Sequence, residues 1–157
     1  ETTVPSFLLA KLSRNLVANG RQELTHAWWR RDHARFIVYI SDIVLDEAKQ
    51  GDHSAARKRL EFLEPFQILA MTPAVDQLAD LYVNEHIIPE RKYGDALHLA
   101  LASVYRMDFL CTWNLKHIVN AFSLRRLRVL NAKQGVFTPE ICKIEERRVG
   151  KSVDLGG

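Results

Sequence analysis

The chain has 157 residues, 47% of them hydrophobic and 26% charged, ordinary values for one compact soluble domain. Lys and Arg number 22 against 19 Asp and Glu, a net charge of +3, and a pI near 9.0 permits a polyanionic partner without requiring one. Cys111 and Cys142 are too few for a disulfide-dense scaffold and lack the CxxC spacing of a zinc ribbon.

No apolar run reaches the roughly 18 residues of a membrane span, and the first residues carry no signal-peptide core. The expectation is a cytoplasmic protein, one domain over residues 1–157. The chain opens Glu1-Thr2-Thr3-Val4-Pro5 without an initiating Met, and a few residues are expected to precede it.

In chain order, residues 13–25 predict a helix interrupted near Gly20, and residues 27–35 a second one carrying Trp28 and Trp29. Residues 36–41 form a continuous apolar, β-branched run, as expected of a strand buried on both faces of a parallel sheet. Asp42 can cap a helix over 43–50 that stops at Gly51, and Asp52 one over 53–63. Residues 66–70 predict a short strand. Thr72-Pro73 then opens a helix to about Asn84. Residues 93–105 are helical and apolar nearly all round, hence buried. A strand at 109–111, helices at 114–120 and 122–133, and a last strand within 138–143 complete the pattern. Strands alternating with helices indicate an α/β, doubly wound domain.

In such a sheet, ligands gather beyond the carboxyl ends of the strands. Glu47 lies one turn into the helix after the 36–41 strand, with Asp46 as its competitor. Asp95 opens the buried helix, and Asn114 follows the 109–111 strand behind Thr112 and Trp113. Glu1 would end a strand if the residues before it were apolar. Each also has a plain structural reading: Asp95 as a first-turn acid favoured by the helix dipole, Glu47 as a solvated helix residue, Asn114 as a helix cap. Together they would place three carboxylates and an amide at one sheet edge. Carboxylates around one point repel unless a cation neutralises them. Hard divalent cations want oxygen ligands, and the chemistry that suits such a site on a basic protein is phosphodiester hydrolysis.

Four segments carry a resemblance. They are Glu1-Thr2-Thr3-Val4-Pro5-Ser6-Phe7, Ser41-Asp42-Ile43-Val44-Leu45-Asp46-Glu47 with Gly51 beyond, Asp95-Ala96-Leu97-His98-Leu99-Ala100, and Thr112-Trp113-Asn114 with His117 and Asn120. In that order they resemble the PIN domain, in its VapC-like branch. The resemblance implies a three-layer α/β/α fold with a central parallel β-sheet whose first strand lies upstream of residue 1. It implies an Mg²⁺- or Mn²⁺-dependent ribonuclease, commonly the toxin of a toxin–antitoxin pair, with an RNA substrate, a cognate antitoxin and a homodimer as partners. The family's four acidic positions fall on Glu1, Glu47, Asp95 and Asn114, implied as catalytic and metal-binding, and its supporting hydroxyls fall on Thr2 and Thr112. Glu1 is one methylene longer than the usual Asp, and Asn114 lacks the usual charge. Both departures weaken metal binding.

His98, three residues after Asp95, shares its helix face, either supporting the site or serving as a core histidine. No His pair has zinc spacing. Lys116, Arg125, Arg126 and Arg128 are the candidate nucleic-acid contacts, with a further basic group at Arg147, Arg148 and Lys151. Trp28-Trp29-Arg30-Arg31 suits either stacking on single-stranded RNA or packing on a core. The expected function is a metal-dependent endoribonuclease in which a metal-activated water attacks the RNA phosphodiester. A catalytically weak RNA-binding or regulatory module is the alternative, and a DNA-directed nuclease has the same site chemistry.

Overall fold

The computed structural model describes residues 1–114 and 121–144. The helix expected over 114–120 lies outside them beyond Asn114, with Lys116, His117 and Asn120, as do Arg147, Arg148 and Lys151. Among the described residues the chain is a mixed α/β structure of seven α-helices and four short strands, all paired in parallel.

Helix α1 (Thr3–Leu9) is followed by a long α2 (Leu16–Asp32). Two separate helices were expected in this stretch, and one is found. Asn15 caps it by accepting from the Val17 and Ala18 amides. Gly20 inside a helix costs about 1 kcal/mol against Ala, which tertiary contacts offset. The buried Gln22 side chain donates to the carbonyls of Ala10 and Lys11 and accepts from the Ser13 amide, tying α2 to the end of α1.

Strand β1 (Tyr39–Ser41) leads directly into α3 (Asp42–Ala48). Ser41, not the expected Asp42, caps α3 from the Val44 amide. Asp42 instead accepts from the Met71 amide at 3.1 Å and pins the later loop. Asp52 caps α4 (His53–Leu63) as expected. Strand β2 (Gln67–Leu69) pairs with β1 in the register Tyr39–Gln67, Ile40–Ile68, Ser41–Leu69. Helix α5 (Pro73–Asn84) has Pro at its first position, and α6 (Tyr93–Val104) is buried through most of its length. Strand β3 (Phe109–Thr112), helix α7 (Ala121–Gln134) and strand β4 (Glu140–Lys143) complete the chain, with β4 parallel to β3.

The largest core lies between α5 and α6. Val75, Leu78, Ala79 and Tyr82 meet Ala96, Leu99 and Ala100, closed by Leu110 and Leu127. The alanines let the helix backbones approach, and each large side chain buried there contributes about 1.5–3 kcal/mol. Tyr82, wholly buried, joins α5 to α6 and α7. Its hydroxyl lies 2.8 Å from Asn131 Oδ1 and 3.0 Å from Ser103 Oγ. Asn131 in turn donates to the Phe137 carbonyl and the Thr138 hydroxyl ahead of β4.

One continuous sheet is expected; among the described residues there are two two-stranded sheets, β1–β2 and β3–β4. The run 36–41 contributes only three residues to a strand, and Ile37 within it is 79% exposed. Of the run only Ile40 and Ser41 are buried, so it is not covered on both faces. An apolar groove of about 640 Å³ separates the pairs, with β1 and β3 both along its walls. Phe36 and Phe109 meet edge-on, their ring centroids 5.7 Å apart.

Candidate active site

Helix α3, the exit of β3 and the start of α6 are brought together through Glu1 and Thr2, the residues just before α1. Glu1 reaches the exit of β3. Its Oε2 accepts from the Thr112 hydroxyl at 3.0 Å and from the Trp113 amide at 3.5 Å, and its Oε1 accepts from the Asn114 side-chain amide at 3.0 Å. The Thr3 hydroxyl also donates to Oε2. Thr112 is fully buried, and its oxygen accepts in addition from the Asn114 backbone amide at 2.9 Å. One hydroxyl therefore fixes both the acid and the turn that carries the amide.

Thr2 precedes α1 but makes no capping bond; its hydroxyl donates instead to Glu47 Oε2. His98 Nε2 stands 3.4 Å from that same oxygen, at ion-pair distance but without the alignment of a hydrogen bond. The imidazole beside it is the main cause holding the Glu47 carboxyl below the usual carboxylate range. Partial burial opposes the shift and the Thr2 hydroxyl reinforces it. Glu47 Oε1 rests over Gly94, where a Cβ would lie 3.8 Å away. Glu47 thus sits against the first turn of α6, one residue from Asp95. Asp95 is half-buried there, and His98 follows it by one turn.

The choice between the two adjacent acids is settled by helix phase. Asp46 points to solvent and pairs with Lys49 at 2.8 Å, its side chain 72% exposed. Glu47, about a quarter-turn further round α3, faces the site. His98, 6% exposed, is both a core residue and a contact of Glu47.

Trp113 is a contributor whose role the linear pattern did not reveal. It is 3% exposed, its indole N–H donates to Thr25 of α2 at 3.0 Å, Phe7 of α1 packs edge-on against it and Arg21 lies over its ring. It clamps α1 and α2 onto the turn between Thr112 and Asn114. A Trp immediately after a short strand was the available signal, but its partners lie far away in the chain.

No family model, curated protein or solved structure matches this chain. What the site can do is read from its own atoms. The donors around Glu1 and Glu47 are carboxylate, hydroxyl and amide groups, a set that suits hard divalent cations better than zinc or copper. Each carboxylate is turned towards hydroxyl or amide donors. Among the described residues no three His, Cys, Asp or Glu side chains stand together at metal-ligand spacing.

Of the candidate nucleic-acid contacts, Arg125, Arg126 and Arg128 are exposed on α7. Arg126 also has a structural task, donating at 2.6 Å to the Glu85 carbonyl at the end of α5 and lying over Phe122. Trp28 and Trp29 pack inward. Trp29 stacks on His33 and meets Phe62 and Phe66, while Trp28 joins the cluster around Val4 and Trp113. Among the described residues no helix is long and apolar enough to cross a membrane.

Proposed function

We propose that the chain is a metal-dependent endoribonuclease of the PIN/VapC type that hydrolyses RNA phosphodiester bonds. The observation that supports it is a single juxtaposition. Glu1 reaches Thr112 and Asn114 at the far end of the chain, while its neighbour Thr2 holds Glu47 against the start of α6. Four segments thus bring acidic and amide oxygens to the carboxyl ends of parallel strands, where α/β proteins collect ligands.

Glu1, Glu47 and Asp95, with Asn114 through its carbonyl, would hold Mg²⁺ or Mn²⁺. Such an ion supplies positive charge to a phosphoryl group and acidifies water. The chain's own part is orientation. Thr112 and the Trp113 amide aim Glu1, Thr2 and His98 aim Glu47, and the exposed Arg125 and Arg128 offer charge to the RNA backbone. In the finer fold reading, a further parallel strand in the groove would join the two pairs into one central sheet between two helical layers. The same reading carries a protein antitoxin and a second copy of the chain as partners.

A second reading is favoured by one contact. Asn114 spends its neutral amide on Glu1, which leaves the site one negative charge short and suits an RNA-binding or regulatory module with weak catalysis. Mn²⁺ titration followed by cleavage of a structured RNA, with Asp95→Asn alongside, separates the two. The nuclease binds Mn²⁺ and cleaves, and the variant does neither. A folded protein that binds RNA but neither takes up Mn²⁺ nor cleaves is the module.

A further inference from the structure

Cys111 and Cys142 stand on the same rung of the β3–β4 pair, each the direct Cα partner of the other. Both are half-exposed thiols. In a parallel pair, in-register side chains project to the same face, and neighbouring strands lie about 4.8 Å apart. That separation falls inside the roughly 4.4–6.8 Å between Cα atoms that a disulfide spans. The face is fixed by alternation: Leu110 enters the α5–α6 core, whereas Cys111 packs on the other side against the cluster of Val4, Trp113 and Ile144.

We propose that Cys111 and Cys142 form a reversible intramolecular disulfide, a modification site independent of the nuclease reading. The oxidant is a small-molecule disulfide such as oxidised glutathione. One cysteine thiolate attacks it, forming a mixed disulfide and releasing one glutathione thiolate. The second cysteine thiolate then attacks the protein-bound sulfur and releases the other. One S–S bond forms in the protein as one is broken in the oxidant. Two electrons pass to glutathione, and the two protons shed by the cysteines end on the released thiols. The bond closes the chain between β3 and β4 into a loop containing α7. It also fastens the residue before Thr112, the hydroxyl that aims Glu1.

The test exposes the whole chain to oxidised glutathione, traps remaining thiols by alkylation and maps the products by mass spectrometry. The expected product is a monomer lighter by two hydrogen atoms, with no alkylatable thiol, one cross-linked peptide containing both cysteines, and full reversal by dithiothreitol. Cys111→Ser and Cys142→Ser should each retain a stable glutathione adduct instead. Either variant that fails to unfold cooperatively is set aside, because peptide mapping of the parent decides alone. A folded parent that keeps both thiols, carries two glutathione adducts, or cross-links into dimers overturns the proposal.

Discussion

Replacing Asn114 by Asp tests both the geometry of the site and its proposed affinity for a cation. The Asn114 amide donates to Glu1 Oε1 at 3.0 Å; the variant puts a second carboxylate there. At that separation and an effective dielectric near 20, two unit charges repel by about 5 kcal/mol. Partial exposure reduces this figure, and a carboxyl pair can relieve the rest by taking up a proton, which costs about 1.4 kcal/mol per pH unit. A loss of about 2–4 kcal/mol at neutral pH is expected, or roughly 5–15 °C in Tm for a chain of this length. Saturating Mn²⁺ should offset much of this loss. The added charge strengthens cation binding, and an ion at about a hundred times its Kd returns about 2.7 kcal/mol. Thermal and urea melts with EDTA and with Mn²⁺ measure both quantities. A variant as stable as the parent in EDTA refutes the Glu1–Asn114 contact. An equal deficit with and without Mn²⁺ refutes the cation reading.

Tyr82→Phe leaves Asn131 Oδ1 without the buried hydroxyl that approaches it at 2.8 Å, and should cost about 1–3 kcal/mol, read as a lower urea midpoint at unchanged slope. Glu47→Gln should abolish metal-dependent RNA cleavage. The loss should exceed the roughly 10–100-fold seen when only a ligand's supporting partner is removed, while Asp46→Asn, at an exposed acid paired to Lys49, leaves it unchanged. Thr2→Val removes a donor that helps to hold the Glu47 carboxyl low. A carboxyl lowered on folding stabilises the protein above its unfolded value, and that contribution is lost as the pH falls through the folded value. The variant should therefore be less stable than the parent at neutral pH, by about 1 kcal/mol given the exposure of Glu47, and the two should converge in acid. A difference that persists in acid would assign the effect to packing.

What was legible in the sequence was local. Asp52 before α4 and Thr72-Pro73 before α5 mark helix starts within a few residues, and those helices begin where expected. The apolar run of α6 announced its burial. Glu47 and Asn114 could be named because strand ends and helix starts are where an α/β chain gathers polar groups, Glu1, Thr2 and Thr112 only with the family resemblance beside them; Glu1 bonds Thr112 and Asn114, and Thr2 bonds Glu47. The decisive errors were non-local. Helix α2 continues through Gly20 because Gln22 and Thr25 bond to segments elsewhere. Helix α1, only seven residues long, has no strong signal of its own and is held by Val4 and Phe7 against Trp113. Whether four apolar runs form one sheet or two depends on what lies between them, which no run encodes. The pairing of Cys111 with Cys142 is likewise a matter of strand register.

Among the described residues β1 pairs with β2 alone and β3 with β4 alone, so each pair turns one strand edge towards the groove. Natural sheets guard such edges with lysine, proline or a bulge. Here β1 reads Tyr39-Ile40-Ser41 and β3 reads Phe109-Leu110-Cys111-Thr112, with no charge in either, and Ile37 and Phe109 are exposed close by. Uncharged edges of this kind template the extended backbone of another molecule. A strand laid in the groove, as the finer fold reading requires, would meet uncharged edges on both of its sides.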